Sequence, residues 1–571
     1  MISRRAFLQN GAALSVGSMM RLDATAQSAQ ASDARPTNAA AGAPNILIFM
    51  PDQQNGATVL PDSHVQAPNM RRFLRNSVAF TSAHCPAPHC CPSRASFMSG
   101  LYPSEHGVFN NVTTDTAIHP NPYPGTPFWG QWLKAAGYNM GYSGKLHVGR
   151  DITPESCGFE NVCALEQDSL PINLARKAQQ WKQARAESAD PASRRPGEIL
   201  RPKWTGLQLY KTLPNTGPKG YEGLQDDKVV QAGIEAMKRM ASGSQPWCLM
   251  VSNSGAHDPY NVPQRFVDMY DLDRIELPAS FHDTLDDKPR VYQRQRYQYW
   301  SQLSDPETRD SLRHYYARCT MQDAMFGELL HALDQTGQAE NTIVIYVSDH
   351  GDYHAAHGLW MKGVPSFREA YHIPAVVRWP RSIRRPGREV DAFVDQVDWG
   401  PTILEACGVA PAKKLSGRSL MPWLRDEPPS GWRDATFTQM NGVELYYTQR
   451  IVMTREWKYV YNGFDYDELY DLKNDPHETR NLAFPDLATK RKAVLQGAGL
   501  TPSGALPWPN FPTRLDSVRK NLLEQMWTFA AEHNDTIFNP YGTVALAPLG
   551  PGLSTVRPKG DVHSQATGSA G

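Results

Sequence analysis

Unbroken apolar runs separated by amphipathic stretches organise the chain. Ile46-Leu47-Ile48-Phe49-Met50, Trp247-Cys248-Leu249-Met250-Val251 and Ile343-Val344-Ile345-Tyr346-Val347 show no polar alternation. Strands of this kind are buried on both faces, as in a parallel sheet covered by helices. A shorter strand is predicted within Gly137 to Ser143, before a glycine-flanked loop. Helical patterns run over 68–76, 128–136, 226–240 and 315–333. This alternation predicts an α/β fold, a large mixed and mostly parallel sheet sandwiched by helices. The strands end in polar groups: Asp52-Gln53-Gln54 after the first, His257-Asp258 after the second, Asp349-His350-Gly351-Asp352 after the third. Ligand-binding groups of open α/β sheets lie just beyond strand C-termini. Taken alone, Asp52 reads better as a strand-ending turn or helix cap, and His257 as a structural histidine.

Other segments lack periodicity. Residues 150–225 and 262–305 read as insertions with long loops that line a substrate entrance. Asp426-Glu427-Pro428-Pro429-Ser430 is a linker-like break, which divides a catalytic domain over 44–425 from a subdomain over 431–548. In the latter, strand-like runs over 434–482 precede a helical stretch over 515–533, and a loose tail follows over 549–571. At the other end, Arg4-Arg5-Ala6-Phe7-Leu8, a modest apolar run and Ala24-Thr25-Ala26 have the pattern of a twin-arginine signal peptide over 1–26. A flexible linker over 27–43 follows. Export to the bacterial periplasm or medium by the Tat translocase is therefore expected.

Composition narrows the function. The 571 residues carry 58 basic and 58 acidic side chains, which argues against broad electrostatic binding to nucleic acid or membranes. No segment suits stable membrane insertion. Eight cysteines do not make a disulfide scaffold or a metal-finger spacing, and a Cys157–Cys163 bridge stays open.

The candidate chemistry centres on Cys90-Cys91-Pro92-Ser93-Arg94 and Gly100. Pro92 suits a helix's first turn, so Cys90 lies at a helix N-terminus, where anions are favoured. Arg94 adds positive charge beside the thiol. Asp52, Asp349 and His350 form a plausible site for a hard cation. Imidazole ligation of zinc by His350, His354 and His357 is the alternative, although Gly351 and Gly358 interrupt any single helix presenting them.

Cys-x-Pro-Ser-Arg followed by that glycine resembles the signature of the type I sulfatases, in the alkaline phosphatase superfamily. The Gly144-Lys145-Leu146-His147, Asp349-His350-Gly351-Asp352 and Met361-Lys362-Gly363 segments resemble the family's other motifs. The resemblance implies an alkaline-phosphatase-like fold with a smaller C-terminal α+β subdomain on an antiparallel sheet. It implies a sulfatase (sulfuric ester hydrolase) that cleaves a sulfate monoester of a sulfated carbohydrate or aryl alcohol. The nucleophile is then formylglycine (3-oxoalanine), made from Cys90 by a maturation enzyme. Arg94, Lys145, His147, His257 and Lys362 join Cys90 as catalytic residues, with His147 as base and His257 or Lys362 protonating the leaving group. Asp349 accepts the proton of the attacking hydroxyl. Asp52, Gln53, Cys90, Asp349 and His350 hold one divalent metal, Ca²⁺ first, with Mn²⁺ or Mg²⁺ as alternatives. Gln53 stands where many members carry a second aspartate, a pattern similar to choline sulfatases and phosphonate monoester hydrolases. Two alternatives follow: a phosphonate monoester or phosphodiester hydrolase on the same fold, and a non-catalytic sulfated-glycan-binding protein.

Overall fold

A computed structural model describes residues 42–112, 117–165, 194–201, 206–442, 446–463, 465–483 and 513–537. The expected signal over 1–26, nearly all of the linker over 27–43, the tail over 549–571 and much of the insertion over 150–225 lie outside the described residues.

The central sheet has eight strands: β1 (Asn45–Phe49), β2 (Val78–His84), β3 (Asn139–Gly144), β4 (Glu160–Ala164), β5 (Trp247–Ser252), β6 (Thr342–Val347), β7 (Ala375–Arg378) and β8 (Arg388–Asp395). Their spatial order is β8-β2-β7-β6-β1-β5-β3-β4. All neighbouring pairs are parallel except those of β7, which runs against both β6 and β2. The mostly parallel, mixed sheet expected from the apolar runs is therefore present.

Helices cover both faces: α1 (Pro68–Leu74), α2 (Cys90–Ser99), α3 (Trp129–Ala135), α4 (Gln225–Ala241), α5 (Asp305–Gln335) and α6 (Trp399–Ala406). Successive residues of β1 divide between the two resulting cores. Ile46 and Ile48 pack with Phe97, Trp129 and Ile403, whereas Leu47 and Phe49 pack with Val229, Met325 and Phe326. Burial on both faces explains why the strands show no polar alternation.

A second, antiparallel sheet follows, built from β9 (Ala435–Gly442), β10 (Tyr446–Thr454), β11 (Trp457–Asn462) and β12 (Glu468–Asp471). Helix α7 (Thr513–Glu532) packs on it through Leu522, Leu523, Met526 and Trp527. Cys157 and Cys163 are free thiols. No helix among the described residues is long and apolar enough to cross a membrane.

Candidate active site

The C-terminal ends of β1, β3, β5 and β6 deliver Asp52, Lys145, His257 and Asp349-His350 to one place, and α2 brings Cys90 to it; Asp52, Cys90, Asp349 and His350 are buried there, and Lys145 and His257 half-buried. Helix α2 starts at Cys90, two residues before the proline that marks it in sequence, so the thiol occupies the first turn. All ten α2 residues are buried, so the helix end faces protein rather than water. Gly100 ends the helix in the left-handed region at φ 69°, a position a residue with a Cβ fills at a cost.

Arg94, one turn into α2, lies beneath the site. Its Nε donates to Asp349 Oδ2 at 2.7 Å and its Nη2 to Asp52 Oδ2 at 3.2 Å. Its Nη1 donates to the Lys145 carbonyl at 2.6 Å and to Ser252 Oγ at 2.9 Å. Lys145 Nζ donates to Asp52 Oδ2 at 2.7 Å. Burial and Cys90 press the Asp52 carboxyl upward, but Lys145, His257 and Arg94 together hold it below the usual carboxylate range. The Cys90 thiol is likewise opposed by burial, yet Lys145, Lys362, His350 and a hydrogen bond from His147 draw it well below an ordinary thiol. The pocket is thus built to hold a negative group where Cys90 Sγ lies.

The donor atoms of Asp52, Cys90, Asp349 and His350 lie within 4.8 Å of one another. His350 Nδ1 meets the Gly351 carbonyl at 2.9 Å, which leaves Nε2 facing the cluster, 3.3 Å from Cys90 Sγ and 3.6 Å from Asp52 Oδ1. A metal-binding histidine is oriented in this way by its second ring nitrogen. Asp52 Oδ1 is buried and makes no hydrogen bond. Burial alone would keep the His350 imidazole neutral, but Asp349 and Cys90 push its pKa up, so the surroundings favour positive charge at this point. An orphaned carboxylate oxygen, a second carboxylate and an oriented imidazole fit a divalent cation. Both Asp349 oxygens also have protein donors: Arg94 on Oδ2, and the Gln53 and His350 N–H groups on Oδ1 at 3.0 and 2.9 Å.

Lys362 Nζ contacts His257 Nε2 at 2.7 Å. His257 Nδ1 faces the Asp258 carbonyl at 2.6 Å. Burial and Lys362 lower the His257 pKa, but Asp258, Asp52 and Cys90 outweigh them and raise it. Gln53 has other partners than those expected of a ligand. Its carboxamide oxygen accepts from Lys362, and its nitrogen donates to Asp352 Oδ2 at 2.6 Å and Asp258 Oδ1 at 3.2 Å. His354 stacks on Tyr315, and His357 stacks on Phe367 with Nδ1 2.8 Å from Asp283. Neither joins the donor cluster, so the three-histidine zinc arrangement is not formed. Sequence reasoning gave no role to Ser252, Tyr260 or Asp352. The placement of Asp352 within the Asp349-His350-Gly351-Asp352 turn was the available signal.

Comparison with known proteins follows the same segment. A family model described as Sulfatase matches residues 44–409, and one described as N-sulphoglucosamine sulphohydrolase, C-terminal, matches 356–496. The choline-sulfatase of Rhizobium meliloti is 29% identical over 464 residues, 77% of this chain and 83% of its own length. Arylsulfatase K of Danio rerio is 26% identical over 479 residues, 79% of this chain and 83% of its own. In fold, the phosphonate monoester hydrolase of Agrobacterium radiobacter aligns with a TM-score of 0.65 at 20% identity, covering 86% of this chain and 96% of its own. A protein solved with its substrate D-glucosamine-2-N,6-O-disulfate aligns with a TM-score of 0.61 at 19% identity, covering 86% of this chain and 99% of its own. With a sulfatase match across most of its length, and every side chain of the candidate site inside that match, the chain belongs to the sulfatase family of the alkaline phosphatase superfamily, hydrolases of sulfuric esters.

Proposed function

We propose that this protein is an exported, formylglycine-dependent sulfatase that hydrolyses a sulfate monoester of a carbohydrate or an aryl alcohol. The observation that carries the proposal is the setting of Cys90. Its sulfur lies at a helix N-terminus, inside the Asp52, Asp349 and His350 cluster, with Lys145, His147 and Lys362 acting on it. The names of the choline-sulfatase and arylsulfatase relatives support a sulfate ester as substrate, and the disulfated sugar bound by a fold neighbour suits a carbohydrate.

In this reading Sγ marks the position of the hydrate that replaces the thiol after maturation. One hydroxyl of that hydrate takes the sulfuryl group as the alcohol leaves, and the other then loses a proton so that sulfate departs and the aldehyde returns. Asp52, Asp349, His350 and the modified Cys90 would hold one divalent cation, Ca²⁺ first, with Mn²⁺ or Mg²⁺ as alternatives, which supplies Lewis-acid polarisation of a sulfuryl oxygen. Lys145 and Arg94 keep the Asp52 carboxylate ionised and fixed, and Arg94 holds Asp349 in place by a hydrogen bond. His147 bonds to the position-90 side chain and serves as the base for its proton. Lys362 and His257, in mutual contact, carry protons for the leaving alkoxide. Preorganised positive charge on the sulfuryl oxygens is the largest expected contribution.

The test joins chemistry to turnover. Protein co-expressed with a formylglycine-generating enzyme should give a Cys90 peptide whose mass reports replacement of the CH2–SH group by an aldehyde. It should hydrolyse 4-nitrophenyl sulfate or sulfated saccharides in preference to phenyl phosphonate monoesters, and Cys90→Ala should abolish this. An unmodified thiol beside a matured control sulfatase would overturn the proposal. Faster turnover of the phosphonate esters would move the protein to the phosphonate monoester or phosphodiester reading. Binding of sulfated glycans without turnover would make it a glycan-binding protein.

A further inference from the structure

Among the buried carboxylates that the chemistry above does not use, Asp352 belongs to the same turn as Asp349 and His350. Asp352 is fully buried, and four donors converge on it. Its Oδ1 accepts from the backbone N–H of His354 at 2.7 Å and of Met361 at 3.1 Å. Its Oδ2 accepts from the Tyr260 hydroxyl at 2.6 Å and from Gln53 Nε2 at 2.6 Å.

Two of these bonds lead to Lys362. Met361 precedes the lysine and has φ 67°, in the left-handed region that a methionine adopts only when its surroundings impose it. The bond from its N–H to Asp352 fixes that turn. Gln53 reaches the other end of the lysine. Its nitrogen faces the carboxylates of Asp352 and Asp258, and its oxygen faces the Lys362 ammonium. Two acceptors on one side and a cation on the other leave the amide a single orientation. A carboxylate at position 53 would confront Asp352 and Asp258 in a water-poor pocket, where like charges repel strongly.

We propose that Asp352, steadied by Tyr260, is the positioning residue for Lys362. It clamps the backbone before the lysine through Met361 and turns the Gln53 carboxamide so that its oxygen holds the ammonium beside Cys90. The glutamine is then required by Asp352 rather than by the cation. The inference rests on Lys362 as a sulfate-binding cation.

The experiment is a double-mutant cycle in the matured holoenzyme with Gln53→Glu, Asp352→Asn and the pair combined. Binding of inorganic sulfate is measured by calorimetry, KM and kcat are measured with 4-nitrophenyl sulfate, and the thermal midpoint is recorded. Gln53→Glu should weaken sulfate binding about tenfold or more and lower the midpoint, as expected for groups in one hydrogen-bond network. The combined variant should return to within about threefold of the parent. In it the pair has exchanged polarity: the amide nitrogen introduced at 352 donates to the carboxylate introduced at 53. Rescue in both sulfate affinity and midpoint is the expected result. Losses that simply add overturn the proposal.

Should Gln53→Glu fail to fold, Gln53→Met with Asp352→Asn forms a second cycle, in which the losses must again be less than additive. The midpoint reads the coupling without reference to the reaction. A parent enzyme that neither binds sulfate nor cleaves sulfate esters sinks the sulfatase reading, while a non-additive midpoint still supports the clamp on Lys362.

Discussion

Two buried polar clusters meet at the two ends of the segment from Lys362 to Ser366, and they obey different rules. Around Cys90, Arg94, Lys145, His257 and Lys362 converge on a small space, and Asp52 Oδ1 makes no hydrogen bond. Around Glu468, on the C-terminal sheet, each carboxylate oxygen has a partner. Glu468 Oε1 accepts from Tyr292 at 2.6 Å and Asn462 at 2.9 Å, and Oε2 from Tyr470 at 2.5 Å and Ser366 at 3.1 Å. Beside it, Lys458 pairs with Glu478 at 2.6 Å and donates to the Ser366 carbonyl, while Glu478 takes the Arg368 N–H at 2.8 Å. Burial of charge is common to both and therefore diagnoses neither. An acceptor without a donor, cations aimed at one point and a helix N-terminus mark the first as a place for a ligand. Pairing of every carboxylate oxygen marks the second as architecture.

Substitutions should separate the two. Lys458→Met strands the buried Glu478 carboxylate and should cost about 3–5 kcal/mol of stability, while kcat per folded molecule stays within about threefold of the parent. Urea unfolding and active-site-normalised kinetics check this; a large loss of kcat at unchanged stability would erase the distinction. Lys362→Ala should behave in the opposite way, losing about 10²–10³ in kcat with a change in stability below about 1 kcal/mol. An effect on stability alone would make Lys362 a structural lysine.

Metal removal sharpens the same contrast at a smaller scale. Chelation of the matured enzyme should abolish turnover and lower the thermal midpoint. The lost stability should be about 2.7 kcal/mol if the cation had stood at a hundred times its dissociation constant. Glu468→Gln should lose the same increment on chelation as the parent, because the two clusters are separately satisfied. A midpoint indifferent to chelator would remove the cation from the Asp52, Asp349 and His350 cluster.

The legible parts of the molecule were those where local sequence carries the constraint. β1, β5 and β6 are readable because burial on both faces forbids polar alternation. The apolar periodicity of helix α5 is legible from Tyr315, but the helix begins at Asp305. Its first turns are polar, and their signal is the Ser304–Glu307 capping box with Pro306 rather than an apolar face. The reversal of β7 between β2 and β6 leaves no mark in its own residues, since strand direction is set by connections and neighbours. In the site, Cys90, Arg94, Lys145, His147, His257, Lys362, Asp52, Asp349 and His350 were legible through the motif resemblance, and the structure brings them together. The partners of Gln53 were not legible. They come from Asp258 and Lys362, far apart in sequence, and from Asp352, whose place after a glycine looks like ordinary turn chemistry.

The smallest effect tests the architectural cluster by titration. Burial raises the Asp467 carboxyl to about 6, from the usual aspartate value of about 3.9, against the hydrogen bonds from Tyr459 and the Asn462 N–H. Asp467 Oδ2 accepts from the Tyr459 hydroxyl at 2.6 Å and Oδ1 from the Asn462 N–H at 2.9 Å. On raising the pH, the unfolded chain loses this proton first and the folded protein later, at about 6. Between those points the native state binds more protons than the unfolded state, so stability falls as pH rises through the window and stays lower above it. For a carboxyl that keeps some contact with water, the loss should be about 1–2 kcal/mol. Asp467→Asn retains an acceptor for the Asn462 N–H and cannot ionise. Its stability advantage over the parent should be near zero at the acid end of the window and should reach that value at neutral pH. Parallel urea titrations at the two pH values read the difference directly. An equal difference at both would show that Asp467 is already ionised across the window, and that the C-terminal sheet tolerates this charge as readily as the catalytic pocket tolerates Asp52.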